Sequence, residues 1–185
     1  MIKSNLLNIS NNFLKLSENC SNEINDASQI IISSLKKNKK IMFCGNGGSA
    51  ADSQHLSAEL VGRYRKNRQP FAAISLTTDT SSITAISNDF SFEKIFSRQI
   101  EAIGNEGDVL YAISTSGNSK NIINAIHQAL KKNIKVIGIT GETGGEIKSL
   151  CDCIIKVPAT RTDRVQEMHI AVGHIICEIV EDTLC

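Results

Sequence analysis

Long apolar runs, blocks of like charge, paired cysteines and proline are all scarce in this chain, and each scarcity removes a class of protein. No apolar stretch approaches the roughly 20 residues a bilayer span requires, so no membrane-crossing helix is expected. The segment Met1–Ser10 has no apolar core behind a basic one and no small-residue cleavage site, so no signal peptide is expected. Twenty basic against nineteen acidic residues leave a net charge of +1, which gives no electrostatic footprint for nucleic acid or an anionic membrane. The short basic runs Lys36–Lys40 and Arg63–Arg68 each follow a helical stretch and read as solvated helix ends. Six cysteines occur without any C-x-x-C pair, so they read as reduced thiols of a cytoplasmic protein. Cys151-x-Cys153 has no second pair to answer it as a metal site.

What remains is an ordinary globular composition, 41% apolar and 21% charged, in 185 residues. That length supports one domain with its own core and not two. The first 37 residues lack glycine and place Leu6, Leu7, Phe13, Leu14, Leu16, Ile24, Ile30, Ile31 and Leu35 at helical spacing. They predict one or two amphipathic helices that pack on the sheet domain or on a neighbouring subunit.

From Lys40 the pattern changes. β-rich runs at Ile41–Cys44, Phe71–Leu76, Val109–Ser114, Ile134–Thr140 and Cys153–Val157 alternate with helical stretches at about Ser49–Tyr64, Ser91–Ile103, Ser119–Asn133 and Gly145–Leu150. A last helix is expected from about Arg161 to Leu184. Continuous apolar strands separated by helices predict an α/β fold: a doubly wound, five-stranded parallel sheet covered on both faces. In such folds ligands bind beyond the carboxyl ends of the strands.

Two loops at such ends are unusual. Cys44-Gly45-Asn46-Gly47-Gly48-Ser49 follows the first strand, and its glycines let backbone approach an anion at a helix N-terminus. It also fits a relaxed dinucleotide fingerprint, but the acidic residue that pattern wants about 20 positions on is missing. Ser114-Thr115-Ser116-Gly117-Asn118-Ser119 follows the third strand and precedes a helix. A helix cap needs one hydroxyl and this loop offers four, which favours a phosphate resting on hydroxyls and backbone N–H groups. No Walker lysine follows, so nothing points to a nucleoside triphosphate.

The serine-rich loop on a doubly wound scaffold resembles the sugar isomerase (SIS) domain. The fuller set Cys44–His55, Ala58-Glu59-Leu60, Ser87-Asn88-Asp89-Phe90, Ser114–Ser119 and Thr162–His169 is similar to the signature of the bacterial sedoheptulose 7-phosphate isomerases and covers nearly the whole chain. The resemblance implies conversion of sedoheptulose 7-phosphate to D-glycero-D-manno-heptose 7-phosphate, the first step toward heptose for surface glycans. It also implies a homotetramer with active sites between subunits and, in some members, a zinc ion. Gly173, ahead of His174, departs from expectation inside a buried helix and predicts close helix packing.

His55 and Glu59 stand four apart on a predicted helix, about 40° around its axis, and Gln166 and His174 eight apart, about 80°. With the resemblance, these four form a candidate zinc set, although glutamine is an uncommon ligand. An aldose–ketose isomerisation moves a proton between C1 and C2 through a cis-enediol and needs a carboxylate base and an acid–base partner. Glu59 is the expected base and His174 the partner. Ser114, Thr115, Ser116 and Ser119 are expected on the phosphate, and Asn46, Gly47, Gly48, Asn88, Asp89 and Gln166, with Glu59, on the sugar. Arg63 and Asp163 are weaker candidates, and His127 and His169 read as structural or exposed.

Two other readings compete. A related SIS tetramer acts as a partner of the replication initiator, and other SIS proteins are sugar-phosphate-sensing regulators. A scaffold has no need of His55, Glu59, Gln166 and His174 beside a phosphate loop, which favours the enzyme.

Overall fold

The computed structural model describes all 185 residues. Two helices come first, α1 (Ile2–Asn19) and α2 (Ser21–Lys36), and the chain then alternates strand and helix. The strands are β1 (Ile41–Cys44), β2 (Ala73–Ser75), β3 (Val109–Ile113), β4 (Lys135–Thr140) and β5 (Cys153–Lys156). Between them lie α3 (Gly48–Val61), α4 (Thr80–Asp89), α5 (Ile95–Ile103) and α6 (Lys120–Lys131), and α7 (Thr162–Leu184) closes the chain.

All pairings are parallel and the strand order is β2-β1-β3-β4-β5. The chain runs from β1 outward to β2, then crosses back over β1 to β3. The winding direction therefore reverses between β1 and β3, and the crevice beyond their carboxyl ends is the ligand position of this topology. The glycine loop and the serine loop are the two walls of that crevice.

Strand residues alternate between two cores. Ile41, Phe43, Val109, Tyr111, Ile113, Ile137, Ile139 and Ile155 pack with α2, α3 and α7 on one face. Met42, Cys44, Leu110, Ala112 and Val136 pack with α5 and α6 on the other. Cys153 belongs to the first core and Cys151 packs on the second, so the C-x-C pair is split across the sheet and makes no metal site. All six cysteines are free thiols. Both α2 and α6 end on an asparagine in the left-handed region, Asn38 (φ 57°) and Asn133 (φ 56°). Each end also pairs a six-to-one bond, Lys39 N to Ser34 O at 3.1 Å or Ile134 N to Ala129 O at 3.0 Å, turning the chain straight into the next strand.

Several expected elements change. The stretch 91–103 divides into a 3₁₀ turn (Phe92–Lys94) and α5, and the 145–150 stretch is a 3₁₀ turn over Glu146–Ser149. The second strand keeps only Ala73–Ser75. Helix α4 was not expected at all; none of its residues is fully buried, and only Ile83 and Ile86 pack against the second core, too short a stripe to read. The N-terminal segment divides at Cys20 into two helices: α2 packs on α7 and β5, whereas α1 leaves Ile2, Leu6, Leu7 and Leu14 more than half exposed. No helix is long and apolar enough to cross a membrane.

Candidate active site

Helix α3 begins at the glycine loop. Gly47 stands at its N-cap with φ 56°, and no side chain caps the first turn. His55 and Glu59 lie one turn apart on this helix, with His55 Nε2 3.2 Å from Glu59 Oε1. Helix α7 runs alongside and delivers His174, whose Nε2 is 3.4 Å from His55 Nε2. The two imidazoles meet edge-on with centroids 4.9 Å apart, and Tyr64 lies beyond His174 at 6.0 Å. One ligand atom from each of His55, Glu59 and His174 falls within 4.8 Å of the others. Two neutral imidazole nitrogens and a carboxylate oxygen converging in this way form a group able to hold a divalent metal ion.

Gln166 lies at the other end of the α3–α7 contact. Its amide covers Gly48, where an added Cβ would stand 2.7 Å from Nε2. The structure thus joins three of the four candidate ligands and sets Gln166 beside the start of α3. Asp52, one turn before His55, has Oδ2 buried without a hydrogen-bond partner, and burial raises its carboxyl to about 6 while His55 pulls the other way.

The serine loop leaves the hydroxyl protons of Thr115, Ser116 and Ser119 without an acceptor in the chain. Ser119 stands at the N-cap of α6 but makes no side-chain cap bond; its Oγ accepts from Ser114 Oγ at 3.2 Å. Ser116 Oγ accepts from Asn118 N at 3.1 Å, and Asn118 Oδ1 accepts from Glu146 N at 2.9 Å, which folds the loop onto the segment after β4. Gly117, at φ 68°, passes so close that a Cβ would stand 2.2 Å from Gly144 O. Across the crevice, Asn46 is bonded in both directions to Asn121.

The remaining candidates are placed as follows. Asn88 and Asp89 end α4, exposed, and bond each other at 2.9 Å; no hydrogen bond ties them to either loop or to the His–Glu group. Asp163 is held by Arg161 at 2.5 Å, and that bond, with the charges of Arg161 and Arg164, keeps its carboxyl well below the ordinary range. His127 is exposed. His169 is buried, with neither ring nitrogen hydrogen-bonded. Most of the Arg63–Arg68 run is solvent-exposed as expected, with Arg65 paired to Glu178 and Lys66 to Asp182 at the surface, but Arg68 departs from that reading and is buried against Glu181. Asn121, Asp52 and Tyr64 are site residues that sequence reasoning left without roles. The one sequence signal was local, since Asp52 and Tyr64 flank the His55–Glu59 turn.

Comparison with known proteins matches this architecture and these loops. The SIS domain family model covers residues 6–141. A phosphoheptose isomerase of Rhodospirillum rubrum is 53% identical over 173 residues, spanning 94% of this chain and 92% of that protein. The chain belongs to the phosphoheptose isomerases, an aldose–ketose isomerase family of the SIS group. A phosphoheptose isomerase of Nitratiruptor is 50% identical, covering 98% of this chain and 97% of its own. The phosphoheptose isomerase structure from Neisseria gonorrhoeae superposes with a TM-score of 0.93 at 38% identity, covering 98% of this chain and 97% of that one. The family match extends through the N-terminal helices, so α1 and α2 are part of the phosphoheptose isomerase architecture and not an appendage.

Proposed function

We propose that this chain isomerises sedoheptulose 7-phosphate to D-glycero-D-manno-heptose 7-phosphate, feeding heptose into surface glycans from the cytoplasm. The observation that carries the reading is the convergence of His174 of α7 with His55 and Glu59 of α3, a helix rooted in the same crevice as the uncapped serine loop. His55 lies seven residues into α3, about 10 Å along its axis from Gly48. That separation suits a sugar whose reacting C1–C2 end is remote from its C7 phosphate.

Ser114, Thr115, Ser116 and Ser119, with the α6 N-terminus, take the phosphate. Gly47 and Gly48 present backbone, and the free halves of the Asn46 amide and the Gln166 amide meet the sugar hydroxyls; Asn88 and Asp89 complete that set from α4. Glu59 takes the proton from C1, the C–H electron pair becomes the C1=C2 bond, and His174 gives a proton to O2. Returning a proton to C2 from Glu59 while His174 accepts the O1 proton yields the aldose. His55, Glu59 and His174 would hold one zinc ion per chain, with Gln166 the fourth expected ligand only if its amide left Gly48; when bound the ion would polarise the sugar oxygens and stabilise enediolate charge. Glu59 serves as base when its carboxylate is free to face carbon. Subunits assembled as a homotetramer, with sites between them, would cover the apolar outer face of α1.

Purified protein mixed with sedoheptulose 7-phosphate and followed by NMR should form an aldoheptose 7-phosphate. Glu59→Gln and His174→Ala should each abolish turnover, and metal analysis should find about one zinc per chain. No conversion with or without added zinc would sink the reading in favour of a partner-binding SIS protein.

A further inference from the structure

Glu181, two turns beyond His174 on α7, is among the most buried charged groups in the chain: its side chain is 2% exposed and that of its partner Arg68 3%. Its carboxylate accepts from the backbone N–H groups of Tyr64 at 3.2 Å, Arg65 at 2.9 Å and Lys66 at 2.8 Å, and from Arg68 Nε at 2.8 Å. Three consecutive amides and a guanidinium folded around one carboxylate form a clasp. Burial pushes the Glu181 carboxyl up, but these bonds together outweigh it and hold the group below its ordinary value, so it stays charged.

The clasp reaches the proposed site from two directions. Arg68 spends its remaining donors on the end of α3: Nη1 on Leu60 O at 2.9 Å and Nη2 on the carbonyl of Glu59 itself at 2.9 Å. One buried ion pair therefore ties α7, which carries His174, to the last turn of α3, which carries Glu59. In the other direction, the Tyr64 amide bond to Glu181 anchors the backbone from which its ring reaches His174, 6.0 Å between centroids with the planes 32° apart. Two further contacts, Arg65 with Glu178 and Lys66 Nζ with Asp182 at 2.8 Å, hold the same segment to α7, three residues before Glu181 and one after it. Arg68 also lies over the Phe71 ring, 4.1 Å from its centroid, which seats the segment on its way to β2.

We propose that Glu181 is a positioning residue for the isomerisation, acting through Arg68 and Tyr64 to set Glu59 and His174 relative to one another. The inference rests on the proton-transfer roles given above to Glu59 and His174. The serine loop lies at the other end of the crevice and shares no contact with the clasp, so phosphate binding should be insensitive to it.

The test compares Glu181→Gln, Tyr64→Ala and the double variant in the full-length protein. Glu181→Gln should lower kcat about 10- to 100-fold, the scale of a small misplacement of reacting groups, with KM little changed. The double variant should lose less than the product of the two single losses, because part of the Glu181 effect runs through Tyr64. Independently of activity, the His174 ring resonance, assigned by its loss in His174→Gln, should move in Tyr64→Ala and in the same direction in Glu181→Gln. If Glu181→Gln does not fold, Glu181→Asp, which keeps the charge but not the full set of bonds, carries the same measurements. A Glu181 variant with normal kcat and only a lowered Tm, or an unmoved His174 resonance, would overturn the proposal. Inactive wild-type protein with the resonance shifts intact would count against the assigned reaction and not against the clasp.

Discussion

Asn46 and Asn121 exchange hydrogen bonds in both directions, Nδ2 of Asn46 to Oδ1 of Asn121 at 2.9 Å and Nδ2 of Asn121 to Oδ1 of Asn46 at 2.7 Å. One belongs to the glycine loop after β1 and the other to the first turn of α6, so this pair fixes the width of the crevice between the two loops. Asn121 is buried, which makes the paired amides costly to separate. The exchange uses one donor and one acceptor of each amide and leaves the second N–H of Asn46 available to a sugar oxygen.

Ser119→Ala should separate phosphate binding from helix capping. A serine that caps its helix contributes about 1 kcal/mol, but Ser119 makes no cap bond, so thermal stability should hardly change. Loss of a hydroxyl bonded to a charged phosphate should raise the Kd for a phosphorylated heptulose about tenfold or more, without altering that for the unphosphorylated sugar. Titration calorimetry with both ligands reads the difference, and equal weakening of the two would refute the phosphate assignment.

Gly173→Ala should destabilise the protein although alanine favours helix. A Cβ there would stand 2.5 Å from both Leu56 methyl carbons and 3.0 Å from its Cγ, and Leu56 is buried between α3 and α7. The helix gain of about 1 kcal/mol is set against an overpacking cost of about 1–3 kcal/mol. Because His55 and His174 adjoin Leu56 and Gly173 in sequence, turnover should fall as well. Denaturant melts checked against the Gly173→Ala/Leu56→Ala pair, which should regain stability relative to Leu56→Ala alone plus Gly173→Ala alone, measure the clash directly.

His169 predicts an acid-sensitive fold. Burial lowers its pKa from 6.5 to about 4, tempered by the nearby Thr140 backbone. The folded state keeps the ring neutral, so its stability is intact above pH 6.5 and is lost as the unfolded chain takes up the proton below it, by at most about 3 kcal/mol near pH 4. Asp52, raised to about 6, works in the opposite sense and gains stability for the fold as pH falls through 6. His169→Leu leaves Asp52 in place, so the difference in unfolding free energy between wild type and variant isolates the histidine. That difference should move in favour of the variant between pH 6.5 and 4; a constant difference would show that His169 does not titrate with folding.

The sequence by itself determined the elements whose physics is local. Continuous apolar runs and intervening helical stretches wrote the parallel α/β sheet, and three glycines or four hydroxyls directly after a strand marked loops suited to anions. The i,i+4 spacing put Glu59 within 3.2 Å of His55 because a helix turn fixes that geometry whatever surrounds it. Helix α4 escaped because only Ile83 and Ile86 turn toward a core, too few to write a helical period, although Asp79, which accepts from Ser82 N at 3.0 Å, stood as its cap. Tertiary structure alone decided what joins across elements. The strand order set both loops on one crevice, and the α3–α7 contact brought His174, 119 residues further along, to His55 while leaving Gln166 over Gly48. It also tied a basic run that reads as solvent-facing to Glu178, Glu181 and Asp182, more than 110 residues away, and buried its Arg68. Local propensity carries no information about such partners; they are chosen by which faces of two helices the sheet forces together.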